Sequence, residues 1–236
     1  MRTRSTWQLA ALVAAAFLVP ALPAGASHPT ATLISVDELR QDHAKGGGSG
    51  TANCSSDDPS SYANTTLATG WLVAGATTAH LNPATVPNAL GDVSDELQAA
   101  FDAWLGGSVP SITVATDGTT TRYTANGTYD ILFGRTGSSI ATTYTWSWSD
   151  GRIESDVVFN KGLAWFNASS EGTGCWSAAG AKFDVRNIAA HEFGHVYGLD
   201  HPAGARYETM YAYGYTGETL KWSPTPGEMS GLASLY

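Results

Sequence analysis

The chain has 236 residues, of which 43 % are hydrophobic and 14 % charged, and its formal net charge is −9 at pH 7. That length suits one domain with extensions, and the acidic balance without a basic patch excludes nucleic acid as an expected partner. Eight Trp and ten Tyr residues, with few charges, favour a strand-rich exported protein.

Residues 1–26 have the pattern of a signal peptide. Arg2 and Arg4 precede an almost wholly apolar stretch of 13 residues, Trp7–Val19, and small residues come just before a cleavage site near Ser27. A membrane anchor is the alternative, but that stretch is shorter than the roughly 20 residues needed to span a bilayer. We therefore expect a secreted, extracellular protein without membrane association once the signal is removed.

Residues 27–69 are predicted to be an N-terminal extension or propeptide-like linker without a core of its own. Gly46–Gly50 is typical of a flexible linker, and Leu33–Arg40 could form one short helix or strand. The chain has two cysteines, Cys54 and Cys175. In an exported chain such a pair most often forms a disulfide, which would tie the extension to the rest of the protein.

Order is expected from residue 70 onward, in one domain over residues 70–236. Spacings of three and four between apolar residues predict a helix over Gly91–Leu105, a second from after Asp184 to about Tyr197, and a third after Pro226. β-Branched and aromatic patterns predict strands at Trp71–Leu81, Ile112–Ala115, Tyr129–Phe133, Ile140–Trp148 and Arg152–Asn160. This order predicts an α+β fold with helices packed on one twisted sheet.

The segment HEFGHVYGLDH, residues 191–201, contains three of the six histidines. His191 and His195 are four residues apart, so a helix presents both on one face, where they can share a metal ion. Gly198 permits the positive φ that ends a helix sharply, and the turn can return His201 as a third ligand. Three imidazoles and one open position are typical of catalytic zinc, whereas structural zinc usually has four protein ligands.

Glu192 is the predicted general base of this site. It would take a proton from a zinc-bound water as that water attacks a peptide carbonyl, and pass the proton to the leaving amine. The alternative is a set of solvent-facing histidines on an ordinary amphipathic helix. Because the five-residue H-E-x-x-H pattern is a known zinc-protease signature, we favour the catalytic interpretation.

The same segment resembles the metzincin pattern H-E-x-x-H-x-x-G-x-x-H, which is followed by a methionine turn. Here Met210 lies nine residues after His201, and this short gap resembles the matrixins, the matrix-metalloproteinase-like branch. Ser155–Asn160 resembles a matrixin strand, and Gly231–Tyr236 resembles the end of the matrixin C-terminal helix. The similarity covers roughly residues 70–236.

The resemblance implies a zincin-like fold with a mostly parallel twisted sheet, a zinc helix, a Met-turn and a C-terminal helix. It implies zinc ligation by the three histidines and a packing floor at Met210. It also implies a peptide strand along the edge Ile140–Tyr144, with Ile140 and Ala141 as contact candidates; an ordinary surface strand is the alternative. Tyr211, Tyr213 and Tyr215 could form a pocket wall, with ordinary aromatic packing as the alternative.

Several features differ from relatives of this type. Ala212 stands where astacins and serralysins carry a tyrosine that can approach the metal, so no tyrosine ligand is expected. His28, His43 and His80 are scattered and do not form a second zinc cluster, so we expect one zinc ion. Calcium is left open, because no loop has a clear calcium spacing. Cys54 does not lie in the family's latency motif, so the disulfide is favoured over a switch role.

The sequence therefore predicts a secreted, monomeric zinc-dependent endopeptidase that acts on proteins or peptides. Two alternatives remain. One is a zinc-containing secreted binding module with weak or no catalysis, whose expected sign would be loss of the general base. The other is a zinc hydrolase of small peptides or other amides, which a closed pocket would favour over an open cleft.

Overall fold

The computed structural model describes residues 28–41, 71–170, 180–202 and 208–236. The signal segment, both cysteines and the Gly46–Gly50 stretch lie outside the described residues. The cleavage site and the disulfide between Cys54 and Cys175 therefore stay predictions.

The described chain forms three helices, nine strands and short 3₁₀ turns. The helices are α1 (Ser94–Asp102), α2 (Val185–Val196) and α3 (Pro226–Ala233). The strands are β1 (Ala31–Gln41), β2 (Thr77–Leu81), β3 (Ile112–Ala115), β4 (Tyr129–Gly134), β5 (Ser139–Trp148), β6 (Ile153–Asn160), β7 (Trp165–Phe166), β8 (Phe183–Asp184) and β9 (Tyr213–Gly214). The 3₁₀ turns are Pro83–Thr85, Asn88–Leu90 and Leu220–Trp222.

The described strands form a seven-stranded sheet in the order β3-β2-β4-β6-β5-β1-β9, beside a two-stranded sheet of β7 and β8. Strands β3, β2, β4 and β6 pair in parallel, β5 runs antiparallel to both β6 and β1, and β1 pairs in parallel with β9. The central strands β4 and β6 are buried along nearly their whole length, as parallel strands covered on both faces are. This mixed, mostly parallel sheet with a few helices confirms the predicted α+β class.

Helices α1 and α2 pack together on the sheet through aromatic and aliphatic side chains. Phe101 of α1 stacks on Phe193 of α2 with ring centroids 3.5 Å apart. The Trp104 indole N–H donates to the Ala190 carbonyl at 2.8 Å, so this large side chain is buried with its polar atom satisfied. These contacts fix α2, which carries the predicted zinc motif, against the core.

Strand β2 begins later than predicted, at Thr77 instead of Trp71. The backbone N–H of Val73 donates to the Tyr236 hydroxyl at 3.1 Å. The segment before Thr77 is therefore hydrogen-bonded to the C-terminal residue of the chain. Its side chains Trp71 and Val73 are buried although the segment is not part of a strand. The hydrophobic pattern was correct about burial but did not distinguish a strand from an extended connection.

Strand β1 places part of the predicted N-terminal extension inside the sheet of the main domain. It pairs antiparallel with β5 from Ala31 opposite Trp148 to Arg40 opposite Ser139, with two register shifts. The region predicted to lack its own core therefore contributes a strand to the core of residues 71–236. No helix among the described residues has the length and apolar character needed to cross a membrane.

Candidate metal centre

Local sequence signals set the bounds of α2 as predicted. The Asp184 carboxylate accepts the Asn187 N–H at 2.8 Å, which is an N-cap hydrogen bond at the first turn. The helix ends at Val196, and Gly198 follows with φ +97°, a conformation that side chains with a Cβ rarely adopt. This turn returns the chain so that His201 comes back towards the helix.

The three motif histidines meet at one point. Their Nε2 atoms lie 3.2 Å apart between His191 and His195, and 3.1 Å apart between each of these and His201. Tetrahedral ligands at about 2.0–2.1 Å from a zinc ion are separated by about 3.3 Å, so the spacing fits one zinc. No other group of at least three His, Cys, Asp or Glu side chains in the described parts of the chain comes together in this way.

Hydrogen bonds at the opposite ring nitrogens show which atoms face the metal position. His191 Nδ1 lies 2.6 Å from the Thr209 carbonyl oxygen, and His195 Nδ1 lies 2.7 Å from the Leu199 carbonyl oxygen. Because a carbonyl only accepts, each Nδ1 carries the proton and each Nε2 presents a lone pair. Two such lone pairs cannot hydrogen-bond each other, and their convergence with His201 Nε2 fits a shared metal cation.

The protonation state of the histidines also suits a metal. Burial lowers the pKa of His195 to about 4 and that of His201 to about 3, and it lowers the pKa of His191 well below its ordinary value. All three imidazoles are therefore neutral at pH 7, the form that ligates zinc.

Glu192 is fully buried next to these histidines. Its Oε2 accepts the Thr143 hydroxyl at 2.5 Å, whereas its Oε1 is one of four buried side-chain polar atoms in the described chain without a hydrogen-bond partner. Burial raises the pKa of Glu192 well above its ordinary value, and the Thr143 bond acts in the opposite direction. A carboxylate with one anchored and one unused oxygen is equipped to hold a proton.

Met210, the predicted packing floor of the site, is fully buried. A Cβ built on Gly194 would lie 2.2 Å from the Met210 sulfur and 2.9 Å from the Trp104 ring. Only glycine therefore fits between the two histidines of α2 at this contact. The Met210 N–H donates to Glu228 at 2.7 Å, which ties the floor to α3.

The predicted substrate-pocket residues lie on two sides of β1. Tyr213 lies in β9 opposite Arg40 of β1, and the rings of Tyr211 and Tyr213 are 5.5 Å apart. Tyr215 is buried, with 8 % of its surface exposed. On the other side, Ile140 and Ala141 of β5 are fully buried and are not at an open sheet edge.

The predicted edge Ile140–Tyr144 is covered by β1, which pairs along its whole length. A small cavity of about 220 Å³ remains between β1 and the metal centre, lined by residues that include His201 and Ala212. A larger cavity of about 560 Å³ lies elsewhere on the sheet and touches none of the three motif histidines. Concave shape alone therefore does not mark this site.

Two contacts at the site could not be found in the sequence. Thr143 reaches Glu192 from a strand 49 positions earlier, and Asp37 lies opposite Thr143 in the β1–β5 register. Both depend on long-range strand pairing, for which neither a motif nor a spacing gives a signal.

A second cluster of buried carboxylates lies at the far end of β6. Glu154 accepts the N–H groups of Asn126 and Gly127 at 2.8 Å and the Trp148 indole N–H at 2.7 Å. Asp156 accepts the N–H groups of Thr124 at 2.9 Å and of Asp130 at 3.1 Å. Burial raises the pKa of Asp156 to about 8, while both amide bonds act to lower it. These carboxylates hold the loop between β3 and β4.

The family model of the matrixins matches residues 82–236, which include the histidine motif, Met210 and α3. This protein belongs to the matrixin family. The family consists of zinc metallopeptidases, so it assigns the chain to hydrolases that act on protein substrates and use zinc, with which the three converging histidines are compatible. Matrixins are typically secreted. A search of curated proteins finds no match.

Proposed function

We propose that this matrixin is a secreted zinc-dependent endopeptidase with one catalytic zinc held by His191, His195 and His201. The observation that carries the proposal is the convergence of three Nε2 atoms within 3.2 Å of one another, together with the unused Oε1 of Glu192. Zinc, when bound, supplies a Lewis acid that polarises the peptide carbonyl and makes water a stronger acid.

The chain's own groups then perform the proton transfers. Glu192 Oε1 accepts a proton from the attacking water and returns it to the nitrogen of the departing amine. The Thr143 hydroxyl holds Oε2 and so fixes the direction of Oε1. Because Glu192 is fully buried, bulk water does not compete for this proton.

Substrate recognition would use the edge of β5, which β1 covers in this structure. An extended peptide can join a free sheet edge through main-chain hydrogen bonds, with side-chain pockets giving selectivity. The wall opposite that edge is proposed to be formed by Tyr211, Tyr213 and Tyr215. The side of the groove formed by β5 itself is proposed to include Ile140 and Ala141.

Three further expectations belong to this proposal. Residues 1–26 direct export, residues 27–69 precede a catalytic domain at 70–236, and Cys54 pairs with Cys175. We also propose a monomer without membrane or nucleic-acid partners, and leave a calcium requirement open.

The test is cleavage of unfolded casein by purified protein, with and without a zinc chelator, beside a Glu192→Ala variant. Chelator-sensitive cleavage that is absent from a folded, zinc-loaded variant supports the endopeptidase and its base. The same assay is run on a protein without residues 27–69. If this protein and the wild type both bind zinc but cut neither casein nor a diverse peptide library, the secreted binding module becomes the better conclusion. Cleavage of short peptides alone would favour the small-peptide hydrolase.

A further inference from the structure

Lys221 is a buried cation beside the turn that contains Met210. It lies in the 3₁₀ turn Leu220–Trp222, and none of its surface is exposed. Lysine is rarely buried to this extent, because its ammonium loses its hydration. Apolar residues can often replace a buried ion pair without loss of stability. A lysine at this position therefore points to a role in the geometry of its surroundings.

The Lys221 ammonium contacts both ends of the turn Glu208–Tyr211. The Glu208 carbonyl closes this turn by accepting the Tyr211 N–H at 3.2 Å, and it also accepts the Lys221 Nζ at 3.3 Å. Nζ lies 5.6 Å from the centre of the Tyr211 ring. The Glu218 carboxylate, which is also buried, lies 3.7 Å from Nζ and balances its charge. Lys221 thus holds the backbone at the start of the turn and the side chain at its end.

The same lysine is joined to α2 through Asn187, a fully buried residue one helical turn before His191. The Lys221 N–H donates to the Asn187 side-chain oxygen at 2.7 Å. The Asn187 side-chain NH₂ donates to Glu218 at 3.3 Å. Asn187, Glu218 and Lys221 therefore form a buried polar bridge between α2 and the turn Glu208–Tyr211.

The turn held by this polar bridge orients one of the three motif histidines. Thr209 is its second residue, and the Thr209 carbonyl lies 2.6 Å from His191 Nδ1. The position of that carbonyl decides where His191 Nε2 points. Groups that orient a ligating histidine through its other nitrogen typically change metal affinity or activity by about 10–100-fold when they are lost.

The charge of Lys221 does not itself favour a cation at the histidines. Burial is the main cause of the low pKa of His191 and of His201, and the Lys221 ammonium acts in the same direction, because it disfavours a second positive charge nearby. On charge alone, loss of Lys221 would strengthen zinc binding. On geometry, its loss would weaken zinc binding, so the two effects have opposite signs.

We propose that Lys221 is a positioning residue for the metal centre, which holds the turn Glu208–Tyr211 so that the Thr209 carbonyl directs His191 Nε2 at zinc. The inference rests on the zinc site of the proposed function, and it does not depend on which substrate the protein cleaves.

The test measures zinc affinity at pH 7 by competition with a calibrated chelator, in wild type and in the double variant Lys221→Met/Glu218→Gln. The double variant leaves no unpaired buried charge, and the glutamine oxygen can still accept the N–H groups of Asn187 and Tyr215. We expect zinc affinity to fall about 10–100-fold, with a urea midpoint close to that of wild type. The visible absorption of the cobalt-substituted protein should shift as well, because the ligand geometry changes.

Lys182→Met is the matched control. It removes an exposed lysine three residues before α2, and it should change zinc affinity less than about twofold and leave the cobalt spectrum unchanged. Zinc affinity in the double variant equal to or higher than that of wild type would overturn the inference and leave the zinc site intact. A wild-type protein that binds zinc no better than a His191→Ala variant would refute the proposed zinc site and the inference with it.

A second measurement needs no substitution. The ammonium protons of Lys221 are followed by ¹H–¹⁵N NMR in the wild-type protein, with and without zinc. Because the group is buried and bonded to the Glu208 carbonyl, its protons should exchange with water at least about tenfold more slowly than those of Lys182. Protection in both forms would support the inference, since the turn is then held before zinc binds. Exchange as fast as that of Lys182 would contradict it.

Discussion

Two groups of buried titratable side chains, one on β6 and one on α2 and the turn after it, differ in how their polar atoms are satisfied. At the far end of β6, Glu154 and Asp156 accept five N–H donors between them. At the metal centre, three Nε2 atoms face one another and Glu192 Oε1 has no hydrogen-bond partner among the described residues. Both groups are buried, and burial raises the pKa of Asp156 as it does that of Glu192, so neither property separates structure from function.

The difference lies in what each group still needs. The carboxylates at β6 have N–H donors for their oxygens and so complete the fold around the loop between β3 and β4. The histidines and Glu192 are held in place by hydrogen bonds at one atom and left open at another. A buried carboxylate with an unused oxygen beside a metal-binding cluster is a candidate for catalysis, whereas one whose oxygens accept several N–H groups stabilises the protein.

The largest expected effect comes from Glu192→Gln. The amide cannot accept the proton of the attacking water, so kcat should fall by about 10²–10⁴-fold, while zinc content stays the same. Because Oε1 has no hydrogen-bond partner in the described parts of the chain, the free energy of unfolding should not decrease. Steady-state kinetics and a urea titration of the same zinc-loaded sample measure both quantities. Loss of stability without loss of activity would place Glu192 with the structural carboxylates.

The matched substitution Glu154→Gln should behave in the opposite way. A glutamine turns an NH₂ group towards one of three N–H donors, so the free energy of unfolding should fall by about 1–3 kcal/mol. The kcat/KM for each folded molecule should stay within about twofold, because Glu154 does not line the metal centre. Urea unfolding and active-site titration test this. A large fall in kcat/KM with normal stability would show that Glu154 acts in catalysis and that the two groups do not differ as described.

A smaller effect is expected for Thr143→Val, which removes the hydroxyl that anchors Glu192. We expect kcat to fall roughly tenfold, since a hydrogen bond to a charged group contributes about 1.5–3 kcal/mol. The hydroxyl favours the carboxylate, so its loss raises the pKa of Glu192 and moves the acidic limb of kcat/KM to higher pH. Thr143→Ser should restore both the rate and the pH profile.

Thr142→Val is the matched control for that substitution, because adjacent strand residues point to opposite faces. It should leave the pH profile unchanged. An equal shift in both valine variants would show a general effect on β5 and not the positioning of Glu192.

The smallest expected change is in zinc affinity between pH 7 and pH 5. With pKa values of about 4 for His195 and about 3 for His201, and a lower value than usual for His191, protons should not compete for the ligands in this range. Affinity should change less than about tenfold, whereas three histidines with ordinary pKa values near 6.5 would lose about 10⁴-fold. Competition with a calibrated chelator at each pH gives the affinity. A steep dependence would mean that the imidazoles are more exposed to water than the structure shows.

Local sequence signals predicted the parts of the site that depend on one helix and its turns. The Asp184 cap, the four-residue spacing of His191 and His195, and the positive φ of Gly198 are all set by neighbouring residues. The family model confirms the resemblance that the motif and Met210 indicated.

The sequence did not predict what depends on pairing between distant strands. The sequence of Leu33–Arg40 is compatible with either a helix or a strand, because its apolar residues follow neither the helical nor the strand period consistently. Its position beside β5 is fixed by backbone pairing with residues about a hundred positions away. The open edge expected at Ile140–Tyr144 is covered for the same reason, and no local pattern distinguishes a free edge from an occupied one.

The Nδ1 bonds of His191 and His195 end on main-chain carbonyls, those of Thr209 and Leu199. Every amino acid carries such a carbonyl, so no single substitution at either position deletes the acceptor. The orientation of these two imidazoles therefore depends on the backbone conformation and not on which side chains stand at positions 199 and 209. Both Nε2 atoms are thus aimed at the metal position by main-chain groups of the Met-turn and of the turn after α2.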